Sequence, residues 1–113
     1  YPTWWFGLPA MLKGWLDRVL VPHATFTLPT AEKPIEPRLD NITKIAAVTT
    51  CGARRLQSKF IGEPGRRTLL RGVRFVCHPK CKTRYTALYQ IDSSTPQQRE
   101  HFAAHVGQMI AGL

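Results

Sequence analysis

No stretch of this chain is long and apolar enough to cross a bilayer as a helix, and its first residues lack the charged, apolar and small-residue order of a secretory signal. Cysteine is sparse and odd in number. Cys51, Cys77 and Cys81 in a chain of 113 residues argue against a disulfide framework and for a reducing compartment, taken here as the cytoplasm. The spacing of Cys77, His78 and Cys81 is not that of a zinc module, so no metal site is expected. His101 and His105, four apart on a polar helix face, read as a solvated pair rather than as ligands.

Acidic residues are also scarce, seven against sixteen Lys and Arg. The shortage is local. From 54 to 84 the cations Arg54, Arg55, Lys59, Arg66, Arg67, Arg71, Arg74, Lys80, Lys82 and Arg84 face Glu63 alone, an excess equal to the whole net charge of +9. Such a segment attracts nucleic acid, anionic membrane or phosphorylated small molecules without distinguishing among them. A solvated helix face is the plain reading of Arg66, Arg67, Arg71 and Arg74, and the fork geometry of arginine also suits a phosphate group.

What is present is enough apolar residue, 43%, for one core and a single unit. The chain opens on Tyr1 directly into an aromatic run to Phe6, which looks like a cut inside an element. Gly7-Leu8-Pro9 predicts a turn and a helix starting near Pro9 and ending by Pro22, with Leu8, Leu12, Trp15, Leu16 and Val19 on its core side. Residues 23 to 41, with Pro29, Pro34 and Pro37, read as a long excursion with at most a short extended piece at Thr25 to Leu28. Lys44 to Thr50, closed by Cys51-Gly52, is the apolar run of a strand covered on both faces.

Two short helices are predicted next, Arg55 to Ile61 and Pro64 to about Arg71, with Gly72 as the stop. Arg84 to Ile91 is β-branched and aromatic enough for a second strand, preceded by a short one at Val73 to Val76. Thr95-Pro96-Gln97-Gln98 is a capping-box signature, and Phe102, Val106, Met109, Ile110 and Leu113 line one face of a last helix. Strands alternating with helices imply an α/β fold, a parallel sheet with helices on both faces. In such sheets ligands bind beyond the C-terminal ends of the strands, which points to the loops Thr3 to Leu8 and Thr49 to Gly52. Indole and phenyl surfaces on one and hydroxyls with a glycine on the other suit a flat, polar-edged ring.

Residues 2 to 19, Pro-Thr-Trp-Trp-Phe-Gly-Leu-Pro-Ala-Met-Leu-Lys-Gly-Trp-Leu-Asp-Arg-Val, resemble the P-x-x-W-F-G-x-P-A-x-L-K-G-W-x-[DE]-R-V signature of the flavodoxin-like NAD(P)H dehydrogenase (quinone) family. Thr49-Thr50-Cys51-Gly52 is similar to that family's second flavin loop, usually T-T-G-G. The resemblance implies the C-terminal part of a single flavodoxin-like domain over residues 1 to 113. It implies a flavin, FAD or FMN, bound by Pro2, Thr3, Trp4, Trp5, Phe6, Thr49, Thr50, Cys51 and Gly52, with the isoalloxazine along Thr3, Trp4, Trp5 and Phe6 and its pyrimidine side at Thr49, Thr50 and Gly52. It further implies hydride transfer from NAD(P)H through that flavin to a quinone-like acceptor, in a homodimer.

Three departures are visible, the largest being that the family's phosphate-binding strand-loop-helix lies upstream of the first motif. The resemblance therefore implies a C-terminal portion lacking the phosphate-binding half, with the activity of the chain by itself in question. Cys51 stands where the family has its first glycine. Residues 53 to 58 lack the tyrosine and later histidine that assist proton transfer in the animal enzymes, so no catalytic proton relay is assigned. The rival reading is a non-enzymatic basic module that binds nucleic acid or another polyanion through residues 54 to 84. Against it, Phe60 is the only aromatic interleaved with residues 54 to 74, and no nucleic-acid motif is recognisable.

Overall fold

A computed structural model describes residues 1 to 113. Two strands, β1 (Lys44–Cys51) and β2 (Lys82–Tyr89), pair in parallel from Lys44 opposite Lys82 to Cys51 opposite Tyr89. Tyr1–Thr3 runs along the other edge of β1, bridged in parallel at Pro2 and Thr50, with Tyr1 N donating to Val48 O at 2.8 Å and Thr3 N to Thr50 O at 2.7 Å. All three stretches therefore end on the same rim of the sheet.

Helix α1 (Ala10–Val19) follows the first stretch, and α2 (Arg55–Ile61) and α3 (Pro64–Arg67) follow β1. Side chains alternate along a strand, so Ala47, Thr49 and Cys51 share one face of β1, and all three are buried. On that side Cys51 Sγ lies 3.5 Å from Ser58 Oγ of α2. Helix α4 (Pro96–Ala111) packs on β2, with Phe102 sharing a cleft with Leu88, a residue on the face opposite Tyr85 and Tyr89. Helices thus flank both faces, as the alternation of elements predicts.

Several boundaries differ from expectation. Gly72 does not stop the helix: α3 widens into a π-helical stretch, Thr68–Val73, whose longer hydrogen-bonded turns carry the chain through the glycine. Val73 to Val76 accordingly forms no strand. Only Cys77 pairs, as a single parallel bridge to Leu39, beside the bond from Leu39 N to Val76 O at 2.9 Å. Strand β2 begins and ends two residues earlier than predicted, because Gln90 turns left-handed (φ 53°) and Ile91–Ser93 winds into a 3₁₀ turn. Trp15 is 59% exposed instead of joining the core. Helix α1 buries Leu16 alone, and Trp15 lies about 100° around the axis from it.

The last helix starts where the sequence places it. Gln98 N donates to Thr95 Oγ1 at 3.2 Å and Thr95 N to Gln98 Oε1 at 2.9 Å, so two amide donors at the helix start are satisfied reciprocally. Phe102, Val106, Met109 and Leu113 are half-buried, whereas Ile110 is exposed. With no fully buried residue on α4, the cap is a large share of what holds it. Thr95→Ala is expected to lower unfolding free energy by about 1 kcal/mol, read as a lower urea midpoint at unchanged slope.

Candidate functional site

The loop after Thr3 is a two-residue turn. Trp4 N donates to Gly7 O at 3.2 Å and Gly7 N to Trp4 O at 2.9 Å, and the central residues Trp5 and Phe6 both have positive φ, 45° and 64°. Positive φ costs a bulky aromatic residue on the order of 1–3 kcal/mol, and such strain concentrates where ligands are held. The turn leaves Trp4 67% and Trp5 94% exposed, with the Trp5 and Phe6 rings edge to face, centroids 6.2 Å apart.

The loop after β1 reaches the same rim. Thr49, 1% exposed, donates its hydroxyl to Tyr1 O at 2.7 Å and sits 2.9 Å from Thr3 Oγ1. Thr50 N donates to Tyr1 O at 3.2 Å. Cys51 turns its thiol into the buried side, so what it offers the rim is its peptide. Gly52 follows with no side chain, and an added Cβ there would stand 2.9 Å from Asp92 Oδ2, the movable end of a side chain. The peptide N–H groups of Trp5, Phe6, Gly52 and Ala53 donate to no protein acceptor, backbone or side chain. The rim thus combines two exposed indoles, a threonine pair and four unused amide donors.

Beneath it lies a polar cluster centred on Glu63, between α2 and α3, with a left-handed backbone (φ 48°) and 8% exposure. Tyr89 donates to Glu63 Oε1, while Lys59 Nζ and Arg66 NH1 each reach Oε2 at 3.0 Å. The Arg66 guanidinium also lies 4.9 Å above the Tyr85 ring. Burial pushes the Glu63 carboxyl upward, but the hydrogen bonds from Tyr89, Lys59 and Arg66 outweigh it and hold the group below the ordinary range. Burial, then the bond to Glu63 and its charge, raise Tyr89 to about 12. Tyr85 is raised by burial first and then by Tyr1, Tyr89 and Glu63, and Tyr1 is raised by burial against the opposing hydrogen bond from Thr49. The cluster therefore holds one carboxylate and three neutral phenols at neutral pH.

The structure brings together the two loops singled out in the sequence, with Thr3 directly against Thr49. The hub at Glu63 was missed, although it is the lone carboxylate in the cationic stretch. The largest cleft lies elsewhere, about 720 Å³ walled by the end of β2 and by α4, with Leu88, Gln90, Ser94, Gln98, His101 and Phe102 on it. It holds no residue of either loop and reflects how loosely α4 covers the sheet, so the open rim where the two loops meet is the stronger candidate. No three His, Cys, Asp or Glu side chains are grouped to hold a metal ion. Cys77 donates to Val73 O at 3.2 Å, and burial, with Cys81 beside it, raises its thiol.

A family model described as flavodoxin-like fold matches residues 1–111. Rat NAD(P)H dehydrogenase (quinone) 1 is 53% identical over 30 residues, 26% of this chain and 11% of the rat protein. An NAD(P)H oxidoreductase of Haemophilus influenzae is 75% identical over 20 residues, 18% of this chain and 10% of its own length. These matched stretches are about a tenth of those relatives. The crystal structure of Smu.1420 from Streptococcus mutans superposes with a TM-score of 0.81 over 99% of this chain and 57% of that one, at 23% identity, a likeness of fold.

The Glu63 cluster makes a pH prediction. A carboxyl lowered in the folded state contributes stability above its unfolded value of about 4.3 and loses it as pH falls through the folded value. Lys59 and Arg66 are 42% and 40% exposed, so solvent screens their share. Glu63→Gln is expected to cost about 1–2 kcal/mol at pH 7, and much less near pH 3. Urea titrations of both proteins at the two pH values check this, and a gap that does not narrow in acid overturns it.

Proposed function

The chain belongs to the family of flavodoxin-like fold that it matches over residues 1–111, and from that premise we propose that it is a flavin-dependent oxidoreductase of the NAD(P)H:quinone type. Residues 2 to 6 and 49 to 52 are the proposed flavin-binding residues. The observation that carries the reading is the convergence of exposed indoles and unused amide donors on one rim at the C-terminal ends of parallel strands.

The donor set fits the ring of a flavin. Its pyrimidine edge carries carbonyl oxygens and gains negative charge on reduction, and peptide N–H groups already fixed in place stabilise that charge without reorganising. The indoles of Trp4 and Trp5 offer flat apolar surface, and the absence of a side chain at Gly52 allows close approach. FAD and FMN share the ring, so the rim suits either. When bound, the group supplies two-electron transfer, in which NAD(P)H becomes NAD(P)⁺ and a quinone-like acceptor takes the hydride equivalent and a proton to become the hydroquinone.

The chain's own part is to bind and orient. Thr49, fixed between Tyr1 O and Thr3 Oγ1, locks the two loops to each other. The Trp4–Gly7 turn holds Trp4 and Trp5 outward. Short matches to NAD(P)H-dependent relatives support the choice of donor. A homodimer belongs to the same proposal: Leu56 and Phe60, one turn apart on α2, and Met11 on α1 all project into solvent with Trp5, apolar surface that a second copy would cover. Three free thiols support a reducing, cytoplasmic setting.

Adding FMN or FAD to the chain is expected to yield a bound flavin spectrum that NADPH bleaches and a quinone restores. Trp5→Ala is expected to weaken flavin binding roughly tenfold, the worth of one well-placed aromatic contact. Affinity unchanged by Trp5→Ala and Gly52→Val combined would remove these loops from the site.

A further inference from the structure

Away from the rim, the cations that the fold gathers between α2 and α3 form a groove. A space of about 340 Å³ is lined by Lys59, Arg66, Arg67 and Arg71 together with Glu63 and Thr83. It adjoins a second space of about 370 Å³ that shares Lys59 and Arg66 and adds Arg55. None of these residues belongs to the proposed flavin loops. The single carboxylate is already engaged by Lys59, Arg66 and Tyr89, so the lining keeps a surplus of positive charge.

Arg67 and Arg71 are the unspent part of that surplus, since neither makes a salt bridge or a side-chain hydrogen bond. Like charges four apart on a helix repel, yet here they face one groove. Arg71 lies in the π-helical stretch, a rare geometry that recurs at functional sites. Gly62, with φ 96°, leaves room for the Arg67 guanidinium, whose Cζ would stand 3.4 Å from a Cβ at that position. Guanidinium groups stay charged at all working pH values and present paired donors that match the oxygens of a phosphate.

We propose that this groove binds a small diphosphate-bearing anion, one phosphate at Arg67, Arg71 and Thr83 and the linked one at Lys59, Arg66 and Arg55. Two adjoining spaces with two shared cations suit two linked anionic groups better than one. The site stands apart from the redox reading and holds or fails without flavin.

Isothermal titration of the chain with pyrophosphate at low salt tests it. One equivalent is expected to bind, with affinity falling as salt is raised. Arg67→Gln and Arg71→Gln should each weaken binding about tenfold, the loss of one charge-assisted hydrogen bond. Arg18→Gln, an exposed cation on α1, should leave it unchanged. Because both groove arginines are exposed and unpaired, the variants are expected to keep the parent's circular dichroism. In parallel, amide shifts of the unaltered chain should concentrate at Gly62, Thr83 and residues 66 to 71. No binding, equal weakening by Arg18→Gln, or shifts spread over the surface would each overturn the proposal.

Discussion

The hydrogen bonds that lay Tyr1–Thr3 along β1 are the constraint on which the rest depends. Pairing there is parallel, so the turn after Thr3 and the loop after Thr50 leave the sheet at one end. Antiparallel pairing would send them to opposite ends, and no choice of side chains could then make one site of them. Each bond is worth only about 1 kcal/mol net. Their effect is positional: once Thr3 N is tied to Thr50 O, the aromatic turn and the glycine loop have nowhere else to go. Thr49 adds specificity, because its buried hydroxyl has to be satisfied and its shortest hydrogen bond, 2.7 Å, goes to Tyr1 O.

Glu63 is the second fixed point, and it faces two ways. One carboxylate oxygen takes the Tyr89 phenol beneath the rim, and the other takes Lys59 and Arg66 at the edge of the cationic groove. A left-handed backbone at a non-glycine residue between two helices is costly, and three hydrogen bonds to a buried carboxylate offset it. Gly65 adds to the tightness there, since a Cβ on it would meet Gly7, Leu8 and the Tyr1 hydroxyl at 3.2 Å. The helix pair is thereby pinned to the first turn of the chain as well as to the sheet.

Much of this was legible in order along the chain, and the legible parts share a cause. The apolar run of β1, the span of α2 and the Thr95–Gln98 cap are set by residues within one or two turns of each other, so local chemistry suffices. The positions of both rim loops were readable for the same reason, each following directly on an extended stretch. The failures are those of tertiary origin. Gly72 reads as a stop in any local scheme, but a π-helical turn carries the chain past it. Val73 to Val76 has strand composition, yet the available partner is Leu39, which offers one bridge and no ladder. Trp15 has the right spacing for a core residue and lacks a facing element to bury it. Glu63 was invisible as a hub because its partners Lys59, Arg66 and Tyr89 come from three elements.

The separation of charge from apolar surface in this chain follows from the same geometry. Alternation along β1 sends Ala47, Thr49 and Cys51 toward α2 and α3, which therefore spend their inner faces on small and polar contacts. Their outer faces are left with what remains, arginines on α3 and Leu56 and Phe60 on α2. Long cations near a helix C-terminus are tolerated there by the helix dipole, whereas exposed phenyl and indole rings have no such compensation in water. The substitution at Cys51 fits this division. A thiol is small enough to fill the buried side against Ser58 while the peptide continues to the rim, so the loop accepts a side chain where the related motif has glycine without changing the face it turns to the rim.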